Sequence, residues 1–490
     1  MSVVLGLPRG LLPSPEAALS AGCDGQWIKV QPNNVSSVAS NSYSSFAAST
    51  PVSNVPFPSQ QVNFSIPCGM GRNTWLDPNK STISFRVKYS VTAASTGAAT
   101  CACYLNGSAM SFWDRMTAVN AAGQILDDVV GLAQIETHKQ IWSFDVAERD
   151  AIALGYGFRY EDESGAAYNY LQGHSVPIFT TSAAVFSTGT NYFSYNMPLP
   201  SSLLGQGARG WLPVGVLPKL DLQMFTNNIV PLTFDIGAGM TASSTITVTI
   251  DNIALNLFYL TLDDKSAALL GGVREHYIHG ISNRLSSGVI NSGVTGQTNV
   301  LLGLRGKSVR SIAARFSENA LTTAGSVNGV FDSKMPIANA IDFFLAAKTR
   351  LPPNPINLTN DVATAFSQAL QASEAYNPMK YRYGGTPVNY ATYVANAGTI
   401  TGANGYDQWL TLAGSNTGAG FLSAFCFAMD CRKASTSQIL DGADLSTSAN
   451  NFLELNLAVA PTNTLYCSFI SAMDVIYVID MATGNIEARS

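Results

Sequence analysis

Residues 244–264 read STITVTIDNIALNLFYLTLDD, and the period of this stretch decides the fold. Ile246, Val248 and Ile250 alternate with Thr245, Thr247 and Thr249, and after Asp251-Asn252 the alternation resumes on Ile253, Leu255, Leu257 and Tyr259. A period of two held over this length predicts a long β-strand, or a bent pair of strands, with one buried face. Nothing in the stretch suggests a nucleophile, a metal site or a basic patch.

The composition around it is that of a chain rich in packed sheets. At 490 residues the length suggests two to four domains, and 46% hydrophobic residues supply material for their cores. Only 12% of residues are Asp, Glu, Lys or Arg, against about 25% in an average soluble domain. Ser, Thr, Asn, Gly and Ala replace them, which favours turns, tight sheets and buried protein–protein surfaces. The net charge is −5, without long runs of either sign, and Arg9 and Lys29 are the only cations in the first sixty residues. A protein that binds nucleic acid by neutralising phosphates needs a basic face or tail, and the sequence has none.

The cysteines Cys23, Cys68, Cys101, Cys103, Cys426, Cys431 and Cys467 are scattered and odd in number. Their spacing does not fit a zinc framework, so buried, reduced thiols and a reducing compartment are expected. In a strand, Cys101 and Cys103 would point to the same face. Pro8, Pro13 and Pro15 interrupt the N-terminal apolar residues, which lack the basic start of a signal peptide. No run reaches the roughly 18 apolar residues of a spanning helix. A soluble chain without an export signal is the expectation.

Residues 1–57, rich in Ser, Asn, Ala and Pro, read as an N-terminal arm. Order is expected from Pro58. A turn is predicted at Asp77-Pro78-Asn79, then a strand through Ile83, Phe85, Val87, Tyr89 and Val91. Two strands flank Ala121-Ala122-Gly123, and a helix carries Leu132, Ile135, Ile141 and Phe144. After Asp264, KSAALLGGVREHYIHGISNR is a connector, and the second half restarts the programme. Early strands lie in TNVLLGLRGKSVRSIAARFSEN, and a helix lies over 361–377 with Val362, Phe366, Ala369 and Leu370 in one stripe. QWLTLAG, AGFLSAFCFAMDC and NNFLELNLAVAP read as strands, before long closing strands near Val475. The two helices, centred near Gln140 and Gln368, and the two closing strands, near Leu255 and Val475, are separated by nearly equal offsets. That order predicts an internal duplication. The fold class is all-β: two consecutive eight-stranded jelly rolls (β-sandwiches), each with a short helix inserted between strands. The expected divisions are an arm over 1–57, a first roll over 58–264, and a connector with the second roll over 265–490.

The candidate chemical motifs are weak. GLRGKSV (303–309) ends like a phosphate-binding loop, but only Leu304 and Arg305 separate its first two glycines, and strand rather than helix is expected after it. His276 and His279 lack a third ligand and read as interface histidines. The pairs Asp127-Asp128 and Asp263-Asp264 read as solvated turn residues at strand ends rather than calcium ligands. No Ser-His-Asp set or isolated carboxylate pair stands out. The aromatics at Phe85, Tyr89, Phe425 and Phe427 alternate as core residues do. No catalytic, cofactor-binding or metal residue is expected.

The stretches VNFSIP and LDPNKSTISFRVKY, and the helix after AAGQILDDVVGLAQ, resemble the opening of a double jelly-roll major capsid protein. FSYNMPLPSSLLG and LPVGVLPKLDLQM resemble the middle of its first roll, IDNIALNLFYLTLDD its last strand, and SFISAMDVIYVIDMATGNIEARS the end of its second roll. The likeness covers roughly residues 58–490. It implies a homotrimeric, pseudo-hexagonal capsomer that tiles an icosahedral virion shell with neighbouring capsomers, assembled inside the host cell. Penton or minor capsid proteins would be further partners, without sequence-specific nucleic-acid binding, cofactor or enzymatic activity. Within the arm, Leu5, Leu7, Leu11 and Leu12 are the candidate assembly anchors, facing another subunit or an inner membrane. The alternative from a different class is a β-sandwich carbohydrate-binding or carbohydrate-active protein, which would need a cleft with acids and exposed aromatics.

Overall fold

The computed structural model describes residues 23–40, 52–91, 101–106, 108–143, 175–181, 190–236, 246–271, 273–317, 335–346, 349–358, 360–373, 425–433, 440–446 and 450–489. The first half contains β1 (Cys23–Val30), β2 (Ser37–Ala39), β3 (Val52–Pro56), β4 (Gln61–Ile66), β5 (Thr74–Val91), β6 (Cys101–Asn106), β7 (Trp113–Asn120) and β8 (Ile125–Val130), then helix α1 (Leu132–Ser143). It continues through β9 (Ser175–Thr181), β10 (Thr190–Pro198), β11 (Ala208–Arg209), β12 (Leu220–Thr226), β13 (Ile229–Ile236) and β14 (Ile246–Leu262). Helix α2 (Asp264–Gly271) leads to β15 (Glu275–Ile290), β16 (Gly296–Leu301), β17 (Val309–Ser317), β18 (Ala338–Leu345) and β19 (Thr349–Ile356). Helix α3 (Val362–Ser373), β20 (Phe427–Asp430), β21 (Phe452–Leu457), β22 (Leu465–Asp480) and β23 (Ile486–Arg489) complete the described elements.

Strand pairing defines the architecture. One sheet of the first half is ordered β1-β14-β5-β10 and another β4-β12-β7-β8, which a third, β3-β13-β6-β9, prolongs. With β3-β4, β6-β7 and β12-β13 each taken as one interrupted strand, the sheets read first-eighth-third-sixth and second-seventh-fourth-fifth. The second half repeats that connectivity in β15-β22-β17-β20 and β16-β21-β18-β19. This is the connectivity of a jelly roll, made twice in one chain. In both rolls the helix follows the fifth strand: α1 after β8, α3 after β19. The expected duplication is therefore present in the pairing.

The break in the opening alternation is a β-bulge. Asp251 pairs with Arg86 and Ala254 with Ser84, so Asn252 and Ile253 stand opposite Phe85. Asn252 takes a left-handed φ of 52°, which asparagine tolerates better than β-branched residues. The extra residue shifts parity, so Val248 and Ile250 before it and Ile253, Leu255 and Leu257 after it are all buried. One strand thus keeps a single buried face over its whole length.

The first core holds Phe64, Trp75, Phe85, Phe112, Trp113 and Tyr259. Each large apolar side chain removed from water contributes roughly 1.5–3 kcal/mol. The second core is built around Phe316, Phe343, Phe366, Phe425, Phe427 and Phe469. The cores meet, because Ile278, Ile470, Val475, Tyr477 and Ile479 of the second roll pack into the first cluster.

Three expectations change. The arm over 1–57 is too long: β1 pairs with β14 from Cys23↔Leu262 to Val30↔Leu255, and β2 continues along the same edge. The first roll therefore includes residues from Cys23 onward. The turn at Asp77-Pro78-Asn79 is a wide bulge inside β5, where residues 78–81 stand opposite Leu257 alone, and Asp77 accepts from Asn79 N–H at 3.1 Å. Asp127-Asp128 is not a turn but part of β8. The anchors Leu5, Leu7, Leu11 and Leu12, the QWLTLAG stretch and the side chains of Tyr89, Cys101 and Cys103 lie outside the described residues.

Candidate functional site

The joint between the two rolls concentrates the buried polar groups, and it starts from the segment between β10 and β12. Ser201 Oγ accepts from Leu203 N–H and Leu204 N–H at 3.1 and 3.0 Å, which folds the chain into a tight turn. Leu199, Leu203 and Leu204 anchor that turn in the first core. The segment then crosses to the second roll, where β11 pairs Ala208 with Gly280 and Arg209 with His279. A first-roll strand thereby extends a second-roll sheet, and Ile281 N–H donates to Gly207 O at 2.8 Å. Glycine is required at this crossing. A Cβ on Gly207 would lie 2.5 Å from Ile281 O, and one on Gly280 would lie 2.4 Å from Ser202 O.

Asp127 on β8 is the first polar hub. Its Oδ2 accepts from Ser201 Oγ and from Ser202 N–H, both at 2.7 Å, and its Oδ1 accepts from Ser282 Oγ of β15 at 3.4 Å. Ser202 Oγ lies 2.6 Å from the Tyr477 hydroxyl on β22. Burial, with the charge of Asp127 adding to it, raises the Tyr477 pKa well above its ordinary value. The phenol therefore stays protonated and hydrogen-bonded in the joint.

Asp474 on β22 is the second hub. Its Oδ1 accepts from His279 Nε2 at 2.7 Å and Arg310 Nη1 at 3.0 Å, and its Oδ2 from Ser308 Oγ at 2.6 Å. Burial pushes its pKa up, but the His279 bond, the Arg310 charge and the Ser308 bond outweigh that and hold it below the usual value. Arg209, arriving on β11, has its pKa lowered by burial and by the like charge of Arg310. The Gly-Lys-Ser loop thus has a structural use: Ser308 links Asp474 to Gly442 N–H, which donates to its Oγ at 3.1 Å. The strand β17 follows it, as the spacing predicts.

His276 and His279 are interface residues, as expected. The His276 ring meets Trp75 edge-on at 5.2 Å, and burial lowers its pKa, so the neutral ring donates from Nε2 to Trp211 O at 3.1 Å. Helix α1 closes the joint on another side. It touches β15 and α3, and Leu285 packs into the first core beside Gly131. His138 on α1 is held at about 3 by burial, with the Arg315 charge adding to the effect. Asp263 accepts from Ser266 N–H at 2.7 Å and so caps α2, which explains one of the acidic pairs.

These contacts fix one roll against the other; they do not assemble reactive groups. Among the described residues, no three His, Cys, Asp or Glu side chains gather as metal ligands. Burial raises the thiol pKa of Cys68, Cys431 and Cys467 to about 12 and that of Cys426 further. No described helix is long and apolar enough to cross a membrane. The sequence marks Asp127 only as one of a pair of acids and does not mark Ser202 or Tyr477, because their partners lie far along the chain.

No protein-family model matches the chain, and no curated protein matches it in sequence. Several solved structures are similar over most of its length. The Faustovirus major capsid protein shares 10% identity over 93% of this chain and 90% of its own, with a TM-score of 0.49. The cryo-EM structure of the Sputnik virophage shares 14% over 100% and 93%, with a TM-score of 0.48. The mavirus major capsid protein shares 10% over 90% and 89%, with a TM-score of 0.45.

Proposed function

We propose that the protein is the major capsid protein of an icosahedral virus, a homotrimer whose six rolls form one pseudo-hexagonal tile of the virion shell. The observation that carries this reading is the tandem of two rolls with identical connectivity, locked by a buried joint that uses different surfaces on each side. A head-to-tail contact between like units generates a ring when the rotation closes. Two rolls per chain make three chains the natural closure for six positions. The low charge supports repeated burial of tile flanks, since ions lose hydration there and uncharged polar groups lose less. Neighbouring tiles are the further partners, joined by penton or minor capsid proteins.

Multi-angle light scattering of the purified chain at micromolar concentration tests this. About three times the chain mass, or a much larger closed assembly, is expected. A monomer at every pH and salt concentration, above all one that binds sugars, contradicts it and favours the carbohydrate-binding alternative.

A further inference from the structure

Because the two rolls share one connectivity, every surface of one has a counterpart on the other, and the counterparts are not equally covered. On the second roll, the outer face of β15-β22-β17 carries Ile281, Asn283, Ile470, Ala472, Ala313 and Arg315, all buried. The first roll contributes to this cover through α1, with His138 beside Arg315, and through Gly207, bonded to Ile281. The equivalent outer face of β1-β14-β5-β10 on the first roll is open. There Trp27 is 57% exposed and Tyr192 61% exposed. Trp27 meets Phe258 edge-on at 5.1 Å, Arg86 lies 5.2 Å from the Tyr192 ring centre, and Arg86 and Lys88 both pair with Asp251.

The covering elements show the reverse asymmetry. Among the described side chains of α1, Leu132, Ala133, Gln134, Ile135, Glu136 and His138 are buried and Lys139 is half-buried. In α3, Ala365, Phe366, Ala369 and Ala372 are buried, while Thr364, Ser367 and Gln371 are exposed. Likewise Leu126, Asp127 and Val129 of β8 are buried, whereas most of β19 is exposed or half-exposed. One half of a head-to-tail interface is thus occupied within the chain, while among the described residues Trp27 and Tyr192 on the first roll and Thr364, Ser367 and Gln371 on α3 are open to solvent.

We propose that the outer face of β1-β14-β5-β10, centred on Trp27, Phe258, Arg86 and Tyr192, is the docking face for the second roll of another copy of this chain. Its α3 and β19 would lie there as α1 and β8 lie on the second roll. The inference rests on the trimeric reading above and gives that trimer its contact. Aromatic and arginine side chains are the residue types that anchor protein interfaces. The uncharged outer side of α3 can approach the cations Lys29, Arg86 and Lys88 without repulsion.

Sedimentation velocity of the full chain and two variants tests it. The first variant, Trp27→Glu with Tyr192→Glu, changes the docking face. The second, Ser367→Lys with Gln371→Lys, places cations on the exposed side of α3 in the other roll. Loss of the trimer in either variant, with an unchanged far-UV spectrum, at concentrations where the wild-type chain is fully trimeric is the expected result. Should the first variant misfold, the second decides. Variants that stay trimeric like the wild type overturn the docking face alone, whereas a monomeric wild-type chain overturns the trimeric reading together with it.

Discussion

The hydroxyl of Ser202, in the first roll, lies 2.6 Å from that of Tyr477, in the second, with no water-accessible surface left on the Tyr477 side chain. The same serine gives its N–H to Asp127 at 2.7 Å. One residue therefore ties the β10–β12 segment both to its own roll and to the other. Tyr477→Phe removes the partner of a buried hydroxyl and should lower stability by about 1–3 kcal/mol. In a double-mutant cycle with Ser202→Ala, the combined loss should be less than the sum of the single losses. Additive losses measured by chemical denaturation would show that the two hydroxyls do not interact.

Asp474→Ala should cost more. It leaves Arg310, 1% exposed, without its carboxylate, and removing one partner of a buried pair typically costs about 3–5 kcal/mol. The denaturation midpoint should fall accordingly. A loss below about 1 kcal/mol would mean that the cluster relaxes to solvate Arg310 and does not hold the joint.

Gly280→Ala should disrupt the joint through backbone contact rather than lost bonding. The added Cβ meets Ser202 O at 2.4 Å, and a carbonyl in a packed crossing has little room to shift. Overpacking of this kind costs typically about 1–3 kcal/mol. A melting temperature equal to that of the wild type would contradict the close approach of the two rolls.

Acid should loosen the same joint. His138 is held at about 3 in the folded chain by burial and the Arg315 charge, against about 6.5 when unfolded. Between those values the unfolded chain binds the proton and the native one does not, so stability falls as pH drops from about 6.5 toward 3. His276, lowered by burial, adds to the same loss. Asp474, whose folded pKa is depressed, adds a further loss at lower pH, as its carboxylate is protonated. The melting temperature should decline from pH 7 to pH 4, and less steeply in His138→Gln; equal slopes in both proteins would exclude His138 as a cause.

Truncation at the N-terminus separates the strand from whatever precedes it. Deleting residues 2–40 removes β1 and β2 and bares one edge of β14 along Leu255–Leu262 and Thr249–Asp251. Loss of the cooperative unfolding transition, or aggregation through the bared edge, is expected. A truncated chain that melts like the full one would return β1 to the arm.

The alternation of Ile246 to Tyr259 was legible because one face of β14 is buried throughout and the bulge at Asn252 preserves that face. The helices at Leu132 and Val362 were legible from their apolar spacing, and their matching positions revealed the duplication. β1 was not. As an edge strand with Gln26, Trp27 and Lys29 all exposed, it carries no amphipathic signal and sits among Ser- and Asn-rich neighbours. The joint was hidden for another reason: Asp127 meets Ser201 and Ser282, and Ser202 meets Tyr477, only after two rolls have folded. Asp127 therefore looked like a solvated turn acid, since charge alone does not disclose burial.

Electron microscopy of the purified chain tests the central claim most directly. Class averages should show threefold particles with a six-lobed outline, two lobes from each chain. Isolated two-lobed particles, persisting at concentrations above those of the scattering experiment, would contradict the reading of this chain as a self-assembling tile.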